Sequence, residues 1–149
     1  MGRRHFLVAG GAVAATLGLG LAPARATPAE AQEAIRRVTG SAPIRQGRVT
    51  LELPPLVENG NSVPLKIAVQ SPMTQADHVR AIHVFTEKNP QPYVAVFRLG
   101  PRAGRASVET RIRLADSQTV TAICEMSDGS FWSGSADSLV TLAACVETG

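Results

Sequence analysis

The chain has 149 residues, 44% hydrophobic and 18% charged, which is room for one domain with a core of its own and too apolar for a disordered tail. Its formal charge of +3 is an N-terminal property: Arg3, Arg4 and Arg25 account for the whole excess of the 15 basic over the 12 acidic residues. The rest is formally neutral and offers no electrostatic footprint for nucleic acid or an anionic membrane, and two cysteines are too few for a disulfide scaffold.

Residues 1–26, MGRRHFLVAGGAVAATLGLGLAPARA, read as an export signal rather than as fold. Arg3 and Arg4 with Phe6 and Leu7 give the R-R-x-F-L pattern of the twin-arginine route, and the weakly apolar Gly/Ala/Leu run behind them is too short to span a membrane well. Ala24-Arg25-Ala26 is an A-x-A cleavage site, so the mature chain is expected to start at Thr27 in the bacterial periplasm, with an uncleaved anchor as the alternative. The twin-arginine route carries folded cargo. With no cofactor motif in the chain, a partner subunit exported alongside it is the expectation.

TPAEAQEAIRRVTG predicts a short helix: Thr27 as N-cap, Pro28 at the first helical position, Glu30 completing a capping box, and Gly40 as the stop. Ala31, Ala34, Ile35 and Val38 make its apolar stripe. The remainder predicts strands: GRVTLEL, LKIAVQS, VRAIHVFTE, YVAVFRLG, RASVETRIRL, QTVTAICEM, a short strand after the turn SDGSFW, and a last one in DSLVTLAA. Pro54-Pro55, ENGNSVP, Pro72, KNPQP and Pro101 punctuate them. About seven short strands behind one helix indicate a mainly β fold, an immunoglobulin-like antiparallel β-sandwich over residues 27–149. The cysteine–tryptophan–cysteine spacing of antibody domains is missing, since Trp132 follows Cys124 too closely.

Few residues here suggest chemistry. Cys124 shares the apolar face of its strand with Val120, Ala122 and Met126 and reads as a buried, inert thiol. His78 and His83 are five apart, which on a strand points them to opposite faces and argues against a shared metal. His83 falls in register with Val79, Ala81 and Phe85 as a core or interface histidine. LGPRAGRA offers Arg102 and Arg105 between glycines, but no helix follows to cradle a phosphate, so it reads as a turn. No Ser/His/Asp set, paired carboxylates or nucleotide fingerprint stands out: no catalytic residue, metal or cofactor is expected.

Cys145 is different, because only VETG follows it. A thiol near a chain end can reach away from its domain, and thiolate attack on sulfur would turn a small anion into a protein-bound group. No basic residue flanks it, and Glu147 would raise its pKa, so activation would have to come from a partner's active site. Position alone leaves three readings: an attachment point, a disulfide to Cys124, or a plain strand-end cysteine.

Several stretches resemble a known family: SPMT, the DHVRAIHVFTEKNPQP segment, LGPRAGRA, TRIRLADSQ and SDGSFW are similar to the core of SoxY, the sulfur-carrier subunit of the periplasmic Sox thiosulfate-oxidation system. The resemblance implies an immunoglobulin-like sandwich paired with a SoxZ-like subunit, not itself an enzyme, with Cys145 as the point of covalent sulfur attachment. It also implies partner enzymes: a SoxAX-type cytochrome that couples thiosulfate to the cysteine, a SoxB-type hydrolase that releases sulfate, and a sulfane dehydrogenase. The family's terminal pattern is Gly-Gly-Cys-Gly-Gly, whereas here the cysteine stands in LAACVETG. Alanines stiffen the backbone relative to glycine, and Val146 and Glu147 add bulk and charge. A non-carrying binding module with a degenerate arm is therefore the alternative.

Overall fold

The computed structural model describes residues 24–144. Helix α1 spans Pro28–Thr39 and starts as its capping box dictates. The Thr27 hydroxyl accepts from the Glu30 N–H at 3.3 Å and the Thr27 N–H donates to Glu30 Oε2 at 2.6 Å. Ala31 and Ile35 are buried along the predicted stripe, and Gly40 closes the helix through its N–H to the Arg36 carbonyl.

Nine strands follow: β1 (Ile44–Gln46), β2 (Val49–Glu52), β3 (Leu56–Val57), β4 (Val63–Val69), β5 (Val79–Thr86), β6 (Tyr93–Arg98), β7 (Ala106–Ile112), β8 (Gln118–Met126) and β9 (Phe131–Val140). They form two sheets, β1-β9-β8-β5-β6 with β3 also on β9, and β2-β4-β7. The inward residues of β4 (Val63, Leu65, Ile67, Val69), β5 (Ile82, Val84) and β8 (Val120, Ala122, Cys124, Met126) make the core between the sheets, as their alternation requires. A second, smaller core lies on the outer face of the larger sheet, where Ile35 of α1 packs on Phe85, Ile123 and Phe131. This is the mainly β sandwich, with one N-terminal helix, that the strand pattern predicts.

Three details differ from the sequence reading. The sheets are not wholly antiparallel: β1 and β3 each pair with β9 in parallel, Ile44–Gln46 beside Phe131–Ser133 and Leu56–Val57 beside Leu139–Val140. Between them the chain leaves for the other sheet as β2. Secondly, the two strands expected after SDGS are one, β9, which runs straight through Ser133-Gly134-Ser135. Gly134 marks no turn there. A Cβ at that position would stand 2.5 Å from the Val49 carbonyl oxygen, so glycine is needed where β2 crosses over β9. Thirdly, Val79 and His83 do not share a face. The register of β5 against β8 shifts between Val79 and Ala81, turning Val79 into the main core, while Phe85, in register with His83, lies under α1.

Candidate functional site

Cys145 lies outside the described residues; what the structure describes is the root it grows from. After Val140 the chain is fastened to two loops by backbone hydrogen bonds. The Thr141 N–H donates to the Val57 carbonyl at 3.0 Å, the Gly60 N–H to the Leu142 carbonyl at 2.8 Å, and the Ala144 N–H to the Leu114 carbonyl at 3.0 Å. The Leu114 N–H in turn donates to the Gly60 carbonyl at 2.8 Å, so residues 60, 114, 142 and 144 form one clasp. Ala144 is buried within it. Gly60 is the pivot: a Cβ there would meet the Leu114 carbonyl oxygen and stand 2.9 Å from the Ala144 nitrogen. Ser117 holds the strand end from the side, its hydroxyl accepting from the Val140 N–H at 2.8 Å.

The loop that carries Leu114 is itself held by two buried amides. Asn89 Oδ1 accepts from the Ala115 N–H at 3.0 Å and from Gln118 Nε2 at 2.9 Å, while Asn89 Nδ2 donates to the Arg113 carbonyl at 2.8 Å. Gln118 Oε1 accepts from the Lys88 N–H at 2.8 Å. Buried amides this fully satisfied fix loop geometry. Asn89 belongs to the EKNPQP stretch and Gln118 to RLADSQ, so two of the stretches that carry the family resemblance meet here, under the root of Cys145. Asn89, Gln118, Ser117 and Gly60 were not singled out from the sequence. Nothing local distinguishes a loop Asn that buries its amide from one in solvent; a polar residue inside an otherwise apolar strand start, as at Gln118, is the one signal available.

The fastening groups are neutral hydrogen-bonding groups, able to fix a chain but not to lower a thiol pKa by charge or to take its proton. Of the charges nearby, Asp116 pairs with Arg25 at 2.9 Å and with Lys88 at 3.8 Å. Leu56, Leu139 and Leu142, at the same end of the sandwich, are 59%, 63% and 61% exposed.

The other sequence candidates do not converge on this root. Cys124 is a free, fully buried thiol between the sheets, pushed up to about 12 by burial, which the positive charge of Arg48 offsets in part and Glu125 reinforces. It pairs across the ladder with Trp132, eight positions before Val140 on β9, about 26 Å back along the strand. Disulfide-bonded residues have Cα atoms within about 7 Å. Ala144, the last described residue, is held beyond that strand end, at the Leu114 carbonyl. His83 is buried at Tyr93, and His78, half-buried before β5, has Nδ1 3.0 Å from the Thr74 carbonyl oxygen. Arg102 lies in a 3₁₀ turn, Pro101–Ala103, and Arg105 follows it; both are exposed. Among the described residues no three His, Cys, Asp or Glu side chains gather to hold a metal, and no helix is long and apolar enough to cross a membrane.

Residues 35–145 match the family described as sulfur oxidation protein SoxY. Among solved structures, the sulfur carrier protein SoxY from Chlorobium limicola f thiosulfatophilum is similar at 27% identity and a TM-score of 0.64, over 76% of this chain and 98% of that one. A superoxide reductase (neelaredoxin) from Ignicoccus hospitalis superposes at 16% identity and a TM-score of 0.58, over 65% of this chain and 94% of its own. A putative superoxide reductase from Thermotoga maritima does so at 23% identity and 0.55, over 65% and 93%. Those two likenesses concern the fold alone. No curated protein matches the sequence.

Proposed function

Since the chain belongs to the SoxY family of sulfur oxidation proteins, we propose that it is a periplasmic sulfur carrier holding thiosulfate-derived groups covalently on Cys145, as a heterodimer with a SoxZ-like subunit. The observation that carries this reading is that the family match runs through residue 145 itself. The buried, inert state of the other thiol supports it, because Cys124 is unavailable both as a carrier and as a disulfide partner.

The chemistry needs an oxidant and then water, both brought by partners. The Cys145 thiol and thiosulfate join through a new S–S bond, losing one proton and two electrons, and a SoxAX-type cytochrome takes the electrons. A SoxB-type hydrolase then splits the bond between the outer sulfane sulfur and the sulfonate group with water, releasing sulfate and leaving a persulfide on Cys145. A sulfane dehydrogenase would oxidise that remaining sulfur. This chain contributes the thiol and its placement.

Export by the twin-arginine route with cleavage after Ala26 is part of the same reading. Such cleavage removes the Arg25–Asp116 pair and the Ala26 N–H bond to Asn89 but leaves α1 whole, since Thr27 is its N-cap.

The test is intact-mass and peptide mass spectrometry of the mature protein after incubation with thiosulfate and the cytochrome. A thiosulfate adduct on the Cys145 peptide, absent from Cys145→Ser, is expected. An adduct that Cys145→Ser retains overturns the reading. Ala143 and Ala144 stand where the family pattern has glycines, and Ala144 is buried and hydrogen-bonded; this favours the second reading, a binding module that carries nothing, for which no adduct forms.

A further inference from the structure

Asn59-Gly60 is the one Asn-Gly pair in the chain, and it lies in the turn between β3 and β4. With no side chain on the second residue, such a pair is where a main-chain nitrogen most readily attacks a neighbouring side-chain amide. The fold treats the two reacting groups in opposite ways. Asn59 is exposed, and its Oδ1 accepts from the Asn61 N–H at 2.9 Å and from Asn61 Nδ2 at 2.9 Å. Two donors at that distance draw electron density from the amide carbon and stabilise the negative charge that gathers on Oδ1 during attack. Gly60 is buried, and its N–H donates to the Leu142 carbonyl at 2.8 Å. A buried, bonded N–H neither gives up its proton to solvent nor turns toward the side chain beside it. The electrophile is prepared and the nucleophile is held, and what holds it is the segment after β9.

We infer that Asn59 is a self-modification site gated by the clasp: when Leu142 lets go of Gly60, the Gly60 nitrogen attacks the Asn59 amide carbon. The N–Cγ bond forms, the Cγ–Nδ2 bond breaks, and ammonia leaves with the Gly60 proton, closing a succinimide ring. Water then opens the ring on either side, with no net oxidation or reduction. Splitting the N–Cγ bond gives aspartate. Splitting the bond to the Asn59 main-chain carbonyl carbon gives isoaspartate, whose main chain is one atom longer.

The isoaspartate form cannot re-form the clasp. A Cβ at Gly60 would already meet the Leu114 carbonyl oxygen and stand 2.9 Å from the Ala144 nitrogen. A main chain lengthened by one atom has no room there to keep its N–H on Leu142 and its carbonyl on the Leu114 N–H. The modification therefore turns a reversible opening into permanent release of residues 142–144. This gating is independent of the carrier reading.

The experiment follows deamidation of Asn59 in the full-length protein by peptide mass spectrometry at mildly alkaline pH, with isoaspartate scored by an isoaspartyl methyltransferase. A synthetic peptide of residues 57–63 gives the ungated rate, and hydrogen exchange reads the Gly60 amide. The native protein is expected to react about tenfold or more slowly than the peptide, by a factor close to the protection of its Gly60 amide. Ala144→Pro removes the N–H bonded to Leu114 and is expected to raise both rates together toward those of the peptide. In the wild type, urea below the unfolding transition should raise the two rates in parallel, a comparison that does not depend on how the variant folds. Deamidation at the peptide's rate while the Gly60 amide is protected overturns the gate. So does a Gly60 amide that exchanges faster, in the variant or in urea, without faster deamidation. In the isoaspartate form the Gly60 and Ala144 amides should exchange freely while the sandwich amides stay protected; protection retained at both overturns the release.

Discussion

His83 shows what a single side chain takes on when a strand is covered by a helix. It is 5% exposed, with Nδ1 2.8 Å from the Tyr93 hydroxyl, while Nε2 is buried without a hydrogen-bond partner. The Glu125 carboxylate, 3.7 Å from Nε2, is too distant for a hydrogen bond and acts through its charge. Burial holds the His83 pKa below 6.5, Glu125 works against it, and Arg98 adds to the lowering. Arg80, paired with Glu125 at 3.6 Å, draws on the same carboxylate. With the folded-state pKa lowered, the stabilising preference for neutral imidazole is fully present above pH 6.5 and is lost as pH falls below it. The unfolding midpoint in urea should therefore decrease between pH 7 and pH 5, and His83→Phe should flatten that dependence. The His83 ring proton in NMR should titrate below 6.5, and lower still in Glu125→Gln; a midpoint at or above 6.5 would contradict the assignment.

Among the elements, β9 is the one on which the site depends. It carries the chain from the crossing of β2 at Gly134 to the clasp, and both ends of its outer edge are occupied by short parallel strands, β1 and β3. Gly134→Ala is expected to destabilise the protein by at least the ~1–3 kcal/mol of an overpacked core, because the atom its Cβ meets belongs to backbone, which yields less than a side chain. Thermal unfolding measures this, and a change below about 0.5 kcal/mol would show that β2 does not approach so closely. A run of Ser, Gly, Ala and Asp reads locally as a turn, which is why two strands are expected from the sequence where one exists. Pairing with β8 along the whole run overrides that propensity.

For the molecule as a whole, the two thiols divide between core and chain end. Cys124 sits between the two sheets, and no local opening of a loop uncovers it. The native mature protein should therefore present one thiol that reacts quickly with an aromatic disulfide reagent. The second should appear only in denaturant, or at the rate of global unfolding. Two fast thiols in the native protein would mean that the sandwich is looser than described; none would mean that Cys145 is already blocked or paired. The similarity to superoxide reductases, at 16% and 23% identity, concerns the fold alone.

Much of this protein is legible residue by residue. The capping box of α1 and the alternation that makes Cys124 inert follow from local rules, because helix ends and strand faces depend on neighbours a few positions away. The clasp is not legible in that way. Gly60, Asn89, Leu114, Ser117 and Ala144 come together only when strands distant in sequence are stacked into the sandwich. The same holds for the one-residue shift of β5 that parts Val79 from His83, which is set by pairing with β8. Local periodicity thus places Cys124 inside the sandwich, and long-range backbone hydrogen bonds decide how the chain after β9 is fastened as far as Ala144.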